Sequence, residues 1–227
     1  MSALAEYLRE SPVVIEAPPI DAAQPVVGAP SALAITEDEQ IRALVEHLFF
    51  RPDTPLHHIA FAAVDSETET APLCFAVARV LSEEGSRDIG LIDGSPRSEP
   101  LHVPLGLRPG SSFDATWQVA TRLWLVPRQS WLDPADSPQI PDRSLSRLRD
   151  LTAEFDCSIL RCAPPSWLVA RLAQACDGVV LVLTANKTRR VIATQIGDLF
   201  KRARIPLLGT VLTGRRFPVP ERLYRSL

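Results

Sequence analysis

The residues with the clearest capacity for chemistry lie between positions 59 and 97. The sequence there reads IAFAAV, DSETETA, PLCFAVARVLSEEG and IGLIDGSPR, which predicts a strand, a loop, a helix and a second strand. In parallel α/β proteins a loop between a strand and a helix can bind phosphate, because the free N–H groups of the helix N-terminus point at the anion. The layout therefore predicts a nucleotide-binding scaffold.

The loop itself has the wrong side chains for holding phosphate. Glycine is expected there because it lets the backbone approach the phosphate, and lysine because it supplies positive charge. The chain instead has Asp65, Glu67 and Glu69. Carboxylates near a polyphosphate repel it. We therefore expect that this scaffold has lost its nucleotide site.

Two further candidate site residues follow predicted buried strands. Asp93 ends the strand at 89–92, and the carboxyl ends of central strands face the crevice where open α/β sheets bind ligands. This position makes Asp93 the best candidate for a surviving functional residue, with a cap on the turn into Gly94 as the equal alternative. Arg161 follows the strand predicted at 156–160, where a phosphoryl-transfer enzyme of this layout has an acidic residue for magnesium.

The rest of the chain supplies elements that must position these residues. A capping box of Thr36 and Glu39 predicts the start of the first helix. Alternation of strands and helices indicates an α/β fold with a mainly parallel sheet covered by helices on both faces. Strands are predicted at 59–64, 89–92, 123–126, 156–160, 179–185 and 205–214, and helices at 36–50, 72–85, 113–120, 144–155, 167–175 and 188–202.

The first 34 residues differ in character from the remaining 193. Prolines at 12, 18, 19, 25 and 30 deny this stretch helical hydrogen bonds and favour extended backbone. We therefore expect a Pro-rich tether at 1–34 and one folded domain at 35–227. A solvated linker is the favoured state of the tether, and docking on the domain or on a neighbouring subunit is the alternative.

Composition excludes several classes of function. The formal net charge of -3 and the pI of about 5.8 give no general attraction to nucleic acid. No apolar run reaches the roughly 18 residues that a membrane span requires. The four cysteines are dispersed and three lie in apolar runs, which indicates reduced thiols in a cytoplasmic protein. The four tryptophans are expected to anchor packing.

Five segments together resemble one family. EQIRALVEHLFF at 39–50 is similar to E-x-F-R-x-L-R-T-N-L-x-F, and LIDGSPRSEPLHVPLGL to L-I-D-A-D-x-R-x-P-x-L-H-x-x-F-G-L. FDCSILRCAPP, ACDGVVLVLTANKTRR and VPERLYRSL follow with matching order and spacing. The chain resembles the cytoplasmic tyrosine kinase domains of bacterial capsule and exopolysaccharide export systems, relatives of division-site and partitioning ATPases. The resemblance covers residues 36–227 and implies a P-loop NTPase-like fold.

The departures from this family concern its catalytic positions. Where the family has P-G-E-G-K-S-T, positions 66–72 read SETETAP, so both glycines, the phosphate lysine and the magnesium-binding hydroxyl are replaced. The second aspartate of the family is Ser95, and the later metal-side aspartate is Arg161. The resemblance therefore implies a pseudokinase with no catalytic residues, no metal, and ATP and magnesium binding lost or very weak. The degenerate remnant of the site comprises Asp65, Glu67, Glu69, Thr70, Asp93, Ser95 and Arg161.

The family also suggests partners. The resemblance implies a scaffold or regulatory subunit that binds a membrane-anchored polysaccharide chain-length-control protein or an active kinase paralogue, so that membrane recruitment is indirect. Glu39 and Arg42 are the interaction candidates, because in the family this helix contacts a neighbouring subunit. Val45 replaces a family arginine, so a mixed assembly or a monomer is expected as much as a homomeric ring. On its own evidence this helix face is an ordinary solvated surface.

Two alternatives remain. One is a residual nucleotide binder or ATPase in which Arg161 contacts phosphate and Asp93 the metal. The other is a partitioning-type positioning protein, which would need ATP switching that the acidic loop does not support.

Overall fold

The computed structural model describes residues 32–51, 55–95, 99–103, 105–106, 116–133, 140–164 and 166–214, with only the backbone given for 32–37 and 166. Five α-helices are present in these ranges: α1 (Ala32–Phe49), α2 (Ala71–Glu84), α3 (Asp142–Thr152), α4 (Ser166–Leu172) and α5 (Arg190–Arg202). The strands are β1 (His58–Ala63), β2 (Ile89–Asp93), β3 (Trp117–Ala120), β4 (Leu123–Val126), β5 (Cys157–Cys162), β6 (Gly178–Thr184) and β7 (Leu207–Thr213).

The strands form one seven-stranded sheet in the order β3-β4-β2-β5-β1-β6-β7. Neighbouring strands are parallel except for β3, which pairs antiparallel with β4 at one edge. Helical connections return the chain to the same end of the sheet, so the carboxyl ends of β1, β2 and β5 lie side by side. The predicted mainly parallel α/β sheet is confirmed.

Alternation of side chains along the central strands divides the core into two layers. Ile59 and Phe61 of β1 face α1 and α2 in one layer, whereas Ala60 and Ala62 face α3, α4 and α5 in the other. Strands β1, β2 and β5 are buried over nearly their whole length, as expected for parallel strands covered on both faces. Helices therefore cover both faces, as the sequence predicts.

The start of α1 and one helix were predicted wrongly. α1 begins at Ala32, so Thr36 is inside the helix and is not its N-cap. Alanine and leucine at 32–34 are strong helix formers and extend the helix toward the N-terminus. The last three residues of the predicted 1–34 tether therefore belong to α1, and the others lie outside the described residues.

The predicted helix at 113–120 is instead strand β3 from Trp117 on, and 113–115 lie outside the described residues. Trp117 and Val119, two positions apart, both face the layer of α1 and α2, as expected for a strand. Four residues are too few for this period of two to be recognised in the sequence. The turn after β3 places Arg122 at a φ of 59° and leads directly into β4. The other boundaries agree with prediction to within a few residues.

Within the described part of the chain, no helix is both long enough and apolar enough to cross a bilayer.

A substitution at Gly90 can test the packing of the layer that contains α3. A Cβ atom at Gly90 of β2 would lie 2.4 Å from Cδ2 of Phe155, which is buried. We expect Gly90→Ala to lower the free energy of unfolding by about 1–3 kcal/mol, because the buried ring must shift. Urea unfolding measures this.

Gly197→Ala is the matched control, since a Cβ atom there meets nothing within 4 Å and the residue lies inside α5. It should raise stability by about 0.5–1 kcal/mol through helix propensity. Equal effects of the two substitutions would contradict the described contact between β2 and Phe155.

Candidate functional site

The candidate site lies at the carboxyl ends of β1, β5 and β2, which are neighbours in the sheet. Asp93 at the end of β2 is in direct register with Arg161 of β5, which in turn is in register with Phe61 of β1. The loop at 65–70, called the acidic loop below, follows β1 and leads into α2. The topology thus brings the sequence-predicted residues to one crevice.

Asp93 and Arg161 form a buried ion pair at the centre of this crevice. The Nη1 atom of Arg161 is 3.6 Å from Oδ1 of Asp93, and the two side chains are 6% and 1% exposed. The same carboxylate accepts the backbone N–H of Ser95 on Oδ1 at 3.1 Å and that of Leu101 on Oδ2 at 3.0 Å. Asp93 therefore caps the turn that follows β2 and also faces a cation.

Burial controls the electrostatics of Asp93. Removal from water raises the pKa of Asp93 above its ordinary value, and the Arg161 guanidinium and the N–H groups of Leu101 and Ser95 oppose that rise. The ionised carboxylate consequently depends on these partners. A buried carboxylate that lost its guanidinium would be strongly penalised.

Arg161 has further contacts within the chain. Its Nη1 donates to the carbonyl oxygen of Glu99 at 3.0 Å, and its Nη2 lies 3.9 Å from Oε1 of Glu69. Its Nε is buried and has no hydrogen-bond acceptor among the described residues. The guanidinium thus sits between the turn after β2 and the acidic loop, with one donor direction unused.

The conformation of the acidic loop is held by hydrogen bonds to the carboxylate of Asp65. Asp65 Oδ1 accepts the hydroxyl of Thr68 at 2.8 Å and the N–H of Glu67 at 3.1 Å. Asp65 Oδ2 accepts the hydroxyl of Thr188 at 2.8 Å, which ties the loop to the segment after β6. Burial raises the pKa of Asp65, but these hydrogen bonds outweigh it and hold the pKa below its ordinary value.

The N-terminus of α2 is also satisfied from inside the chain. Glu69 Oε1 accepts the N–H of Ala71, the first residue of α2, at 3.2 Å. Thr70 occupies the N-cap position and is buried, but its side chain makes no capping hydrogen bond. A carboxylate beside the positive end of a helix is favourable. Glu69 therefore takes a place at which a helix N-terminus can hold an external anion.

Ser95 and Glu67, the other residues predicted to remain from the nucleotide site, differ in burial. Ser95 is buried beside the ion pair and its carbonyl oxygen accepts a hydrogen bond from Arg128 at 3.0 Å. Glu67 is exposed. No cluster of three or more metal-ligating side chains occurs in the described ranges.

Sequence reasoning missed Thr188 and Glu99 as site residues. Thr188 lies far along the chain and reaches Asp65 only because β6 is next to β1, and Glu99 contributes a backbone carbonyl that carries no side-chain signal. In the sequence, Thr188 could be suspected only because its hydroxyl follows shortly after the most apolar strand.

The interaction candidates lie on α1, away from the crevice. Arg42 Nη1 donates to Glu84 Oε1 at 2.8 Å, and its Nη2 is 3.9 Å from Glu83. Arg79 joins Glu83 to Asp38. These ion pairs connect α1 to α2, while Glu39 is exposed on α1.

No protein-family model matches the sequence, and neither does any protein with a curated description. Solved structures do match. The VpsO kinase domain superposes with a TM-score of 0.63 at 17% identity, over 82% of this chain and 100% of that one. The fold is shared with bacterial tyrosine kinase domains.

Two more solved structures support this finding. The kinase domain of the Escherichia coli tyrosine kinase ETK gives a TM-score of 0.63 at 14% identity, covering 88% of this chain and 89% of that chain. A ParA family ATPase from Chlorobium tepidum TLS gives 0.57 at 16% identity, covering 75% and 78%. These matches confirm the P-loop NTPase-like α/β fold that the sequence predicts.

The buried ion pair can be tested by removing one partner. We expect Arg161→Met to lower the free energy of unfolding at pH 7 by about 3 kcal/mol, because Asp93 would remain buried without its cation. The double variant Asp93→Asn/Arg161→Met should recover part of this loss, since it removes both charges. Denaturant unfolding of the four proteins in the cycle gives the interaction energy.

Arg79→Met is the control, because Arg79 makes exposed ion pairs worth about 1 kcal/mol or less. A loss for Arg161→Met no larger than that of Arg79→Met would show that the pair does not hold the crevice together.

Proposed function

We propose that this chain is a catalytically inactive relative of the bacterial tyrosine kinases that works by binding other proteins in exopolysaccharide or capsule production and export. The observation that carries the proposal is that backbone N–H groups of the acidic loop and of the α2 N-terminus are bound to the carboxylates of Asp65 and Glu69. In a phosphate-binding loop such groups face the phosphates.

Charge supports the same conclusion. A triphosphate entering the crevice would have to displace Glu69 from Ala71 and approach Asp65 as well. Two unit charges 4 Å apart repel each other by about 1 kcal/mol in water and about 4 kcal/mol near a protein surface. The acidic loop has no lysine or arginine to offset this repulsion. The residues present therefore do not fit a nucleotide phosphate chain.

The residues present do not fit a magnesium site either. Both carboxylate oxygens of Asp93 accept backbone N–H groups, and Arg161 lies beside them. A divalent cation prefers oxygen ligands and would be repelled by the guanidinium. The hydroxyl of Ser95 donates to the carbonyl oxygen of Arg161 at 3.4 Å. Phosphoryl transfer depends on such a cation to neutralise developing charge, so its loss removes the main source of catalysis.

Binding is the function that remains for this fold. The sequence motifs resemble those of kinase domains of polysaccharide export systems, and solved kinase domains share the fold. The proposed partner is the cytoplasmic end of a membrane-anchored chain-length-control protein, or an active kinase paralogue, and the protein would reach the membrane through it. The proposed contact is the surface of α1 around Glu39 and Arg42. The Arg42 side chain is 54% exposed, so its ion pairs with Glu83 and Glu84 can be exchanged at little cost.

One observation favours a second candidate function, residual nucleotide binding. Arg161 Nε is a buried donor with no acceptor in the described part of the chain, and a phosphate oxygen would supply one. In this alternative Arg161 contacts the phosphate directly.

Calorimetric titration separates the two candidates. We expect no saturable heat from ATP or ADP with magnesium up to about 1 mM, because the acidic loop repels phosphate. The VpsO kinase domain in the same buffer is the positive control for the assay. Micromolar binding that is lost in Arg161→Met would overturn the inactive assignment and establish the alternative.

The proposed partner surface is tested by affinity. We expect Glu39→Ala/Arg42→Ala to weaken binding to the purified cytoplasmic segment of the chain-length-control protein, or to the active kinase of the same system, by at least about tenfold. Lys201→Ala, an exposed basic residue on α5 in the opposite layer, should bind like the unmodified chain. The proposal would be contradicted if the chain bound neither of the two partners. It would also be contradicted if Glu39→Ala/Arg42→Ala and Lys201→Ala bound with equal affinity.

A further inference from the structure

A groove of about 510 Å³ lies at the N-terminal ends of α3 and α4, in the layer opposite α1 and α2. It is lined by Ile140, Pro141, Asp142, Trp167 and Arg171 and is called the Trp167 groove below. Both helices begin at the carboxyl edge of the sheet, because α3 leads into β5 and α4 follows it. The groove shares this edge with the crevice of Asp93 and Arg161, but it lies in the other layer and has no lining residue in common with the crevice.

The indole of Trp167 is unusually open for this chain. Trp167 is 49% exposed, whereas Trp131 and Trp117 are 0% and 2% exposed. The packing role predicted for the tryptophans is confirmed for those two and for Trp124, which packs partly buried against the core, whereas half of Trp167 is left exposed. A large aromatic surface left in water is costly unless something covers it, since burial is worth about 25 cal/mol per Å² of apolar surface.

Arg171 adds an unused donor to the groove. Its Nη2 donates to Asp142 Oδ1 at 2.6 Å, which fixes the guanidinium against the start of α3. Its Nε is buried and has no hydrogen-bond acceptor among the described residues. Leaving this N–H unsatisfied costs about 1–3 kcal/mol. Because the atom is closed to solvent, a docked acceptor reaches it once the guanidinium shifts toward the groove.

An exposed indole beside apolar side chains and an N–H donor is the chemistry that recognises proline-rich backbone. Polyproline II segments stack their rings on aromatic side chains and offer carbonyl oxygens that nothing inside the segment uses. The N-terminal part of this chain contains such a segment, APPIDAAQP at 17–25. We propose that the Trp167 groove binds residues 17–25 of the same molecule.

The N-terminal segment starts from the correct edge of the domain. α1 and α2 run in the same direction, because Asp38 pairs with Arg79 and, one helical turn on in each, Arg42 pairs with Glu84. α2 begins at the carboxyl end of β1, so the N-terminus of α1 also points to the carboxyl edge. The chain therefore leaves the domain at the edge on which the Trp167 groove opens.

The connecting length is sufficient. About 13 residues separate Pro19 from Ala32, which span about 40 Å in polyproline II geometry. A domain of about 195 residues has a radius of gyration near 16 Å, so a segment of that length can pass over the edge of the sheet to the opposite layer. Docking within one molecule also has a high effective concentration, in the millimolar range, so a weak site is enough.

Charge is compatible with this occupant. Glu16 and Asp21 flank the prolines, and the ion pair of Arg171 with Asp142 leaves the lining of the groove close to neutral. Proline also lowers the entropy that the segment loses on docking, because its φ is fixed in advance. The proposal does not depend on the proposed function, since it concerns a different face of the domain.

Photo-cross-linking in the full chain tests the proposal. With p-benzoylphenylalanine placed at Ile20, irradiation should give an intramolecular product in which mass spectrometry locates the bond within 140–142 or 166–171. Trp167→Ala should reduce the yield by about fivefold or more. Arg171→Lys keeps the charge but removes the Nε–H donor, and should reduce the yield about two- to threefold.

Val191→Ala is the matched control, because Val191 is 66% exposed and lies at the same edge of the sheet on α5. It should leave the yield unchanged. The yield should also be the same at 1 and 50 μM protein, about the range that separates intramolecular from intermolecular contact.

Three outcomes would overturn the proposal. The first is a bond located elsewhere in the chain, and the second is a yield that Trp167→Ala and Arg171→Lys leave unchanged. The third is a product that forms only between molecules as concentration rises, which would place the segment of a second copy in the groove. Circular dichroism checks that each variant is folded, and Arg171→Lys keeps the test decisive if Trp167→Ala does not fold.

Discussion

The ion pair between Asp93 and Arg161 is the constraint on which the crevice depends. Two charged side chains that are almost fully buried must each find enough partners to compensate for lost hydration. Asp93 finds them in Arg161 and in two backbone N–H groups, and Arg161 finds them in Asp93, Glu69 and the carbonyl of Glu99. The turn after β2, the end of β5 and the acidic loop are therefore held in one arrangement by a single pair of opposite charges.

Close backbone packing reinforces the same arrangement. The N–H of Gly94 donates to the carbonyl of Arg161 at 2.9 Å, and a Cβ atom at Gly94 would lie 2.7 Å from that oxygen. The indole Nε1 of Trp131 donates to the carbonyl of Asp93 at 3.0 Å. The position of Asp93 is thus set from the backbone on one side and from a fully buried aromatic ring on the other, which leaves its carboxylate little freedom to turn toward a ligand.

Much of the fold was predictable from the sequence because the central strands are continuous apolar runs separated by amphipathic helices. The hidden element was β3, whose four residues are too few to show a period and whose pairing depends on β4. The acidic loop and the pairing of Asp93 with the turn could be predicted from residue types alone. The contact of Arg161 with Glu69 and that of Asp65 with Thr188 could not, because both depend on the strand order β5-β1-β6.

The hydrogen bond between Asp65 and Thr188 also affects how the acidic loop can move. Lids and switch segments that open and close around a ligand come from the least stable parts of a fold, with few anchoring contacts. The hydrogen bond from Thr188 to Asp65 connects this loop to the segment after β6. A second hydrogen bond joins the hydroxyl of Thr68 to that of Thr184, the last residue of β6. The two segments are therefore expected to move as one unit at the end of the sheet, because opening either of them breaks both hydrogen bonds.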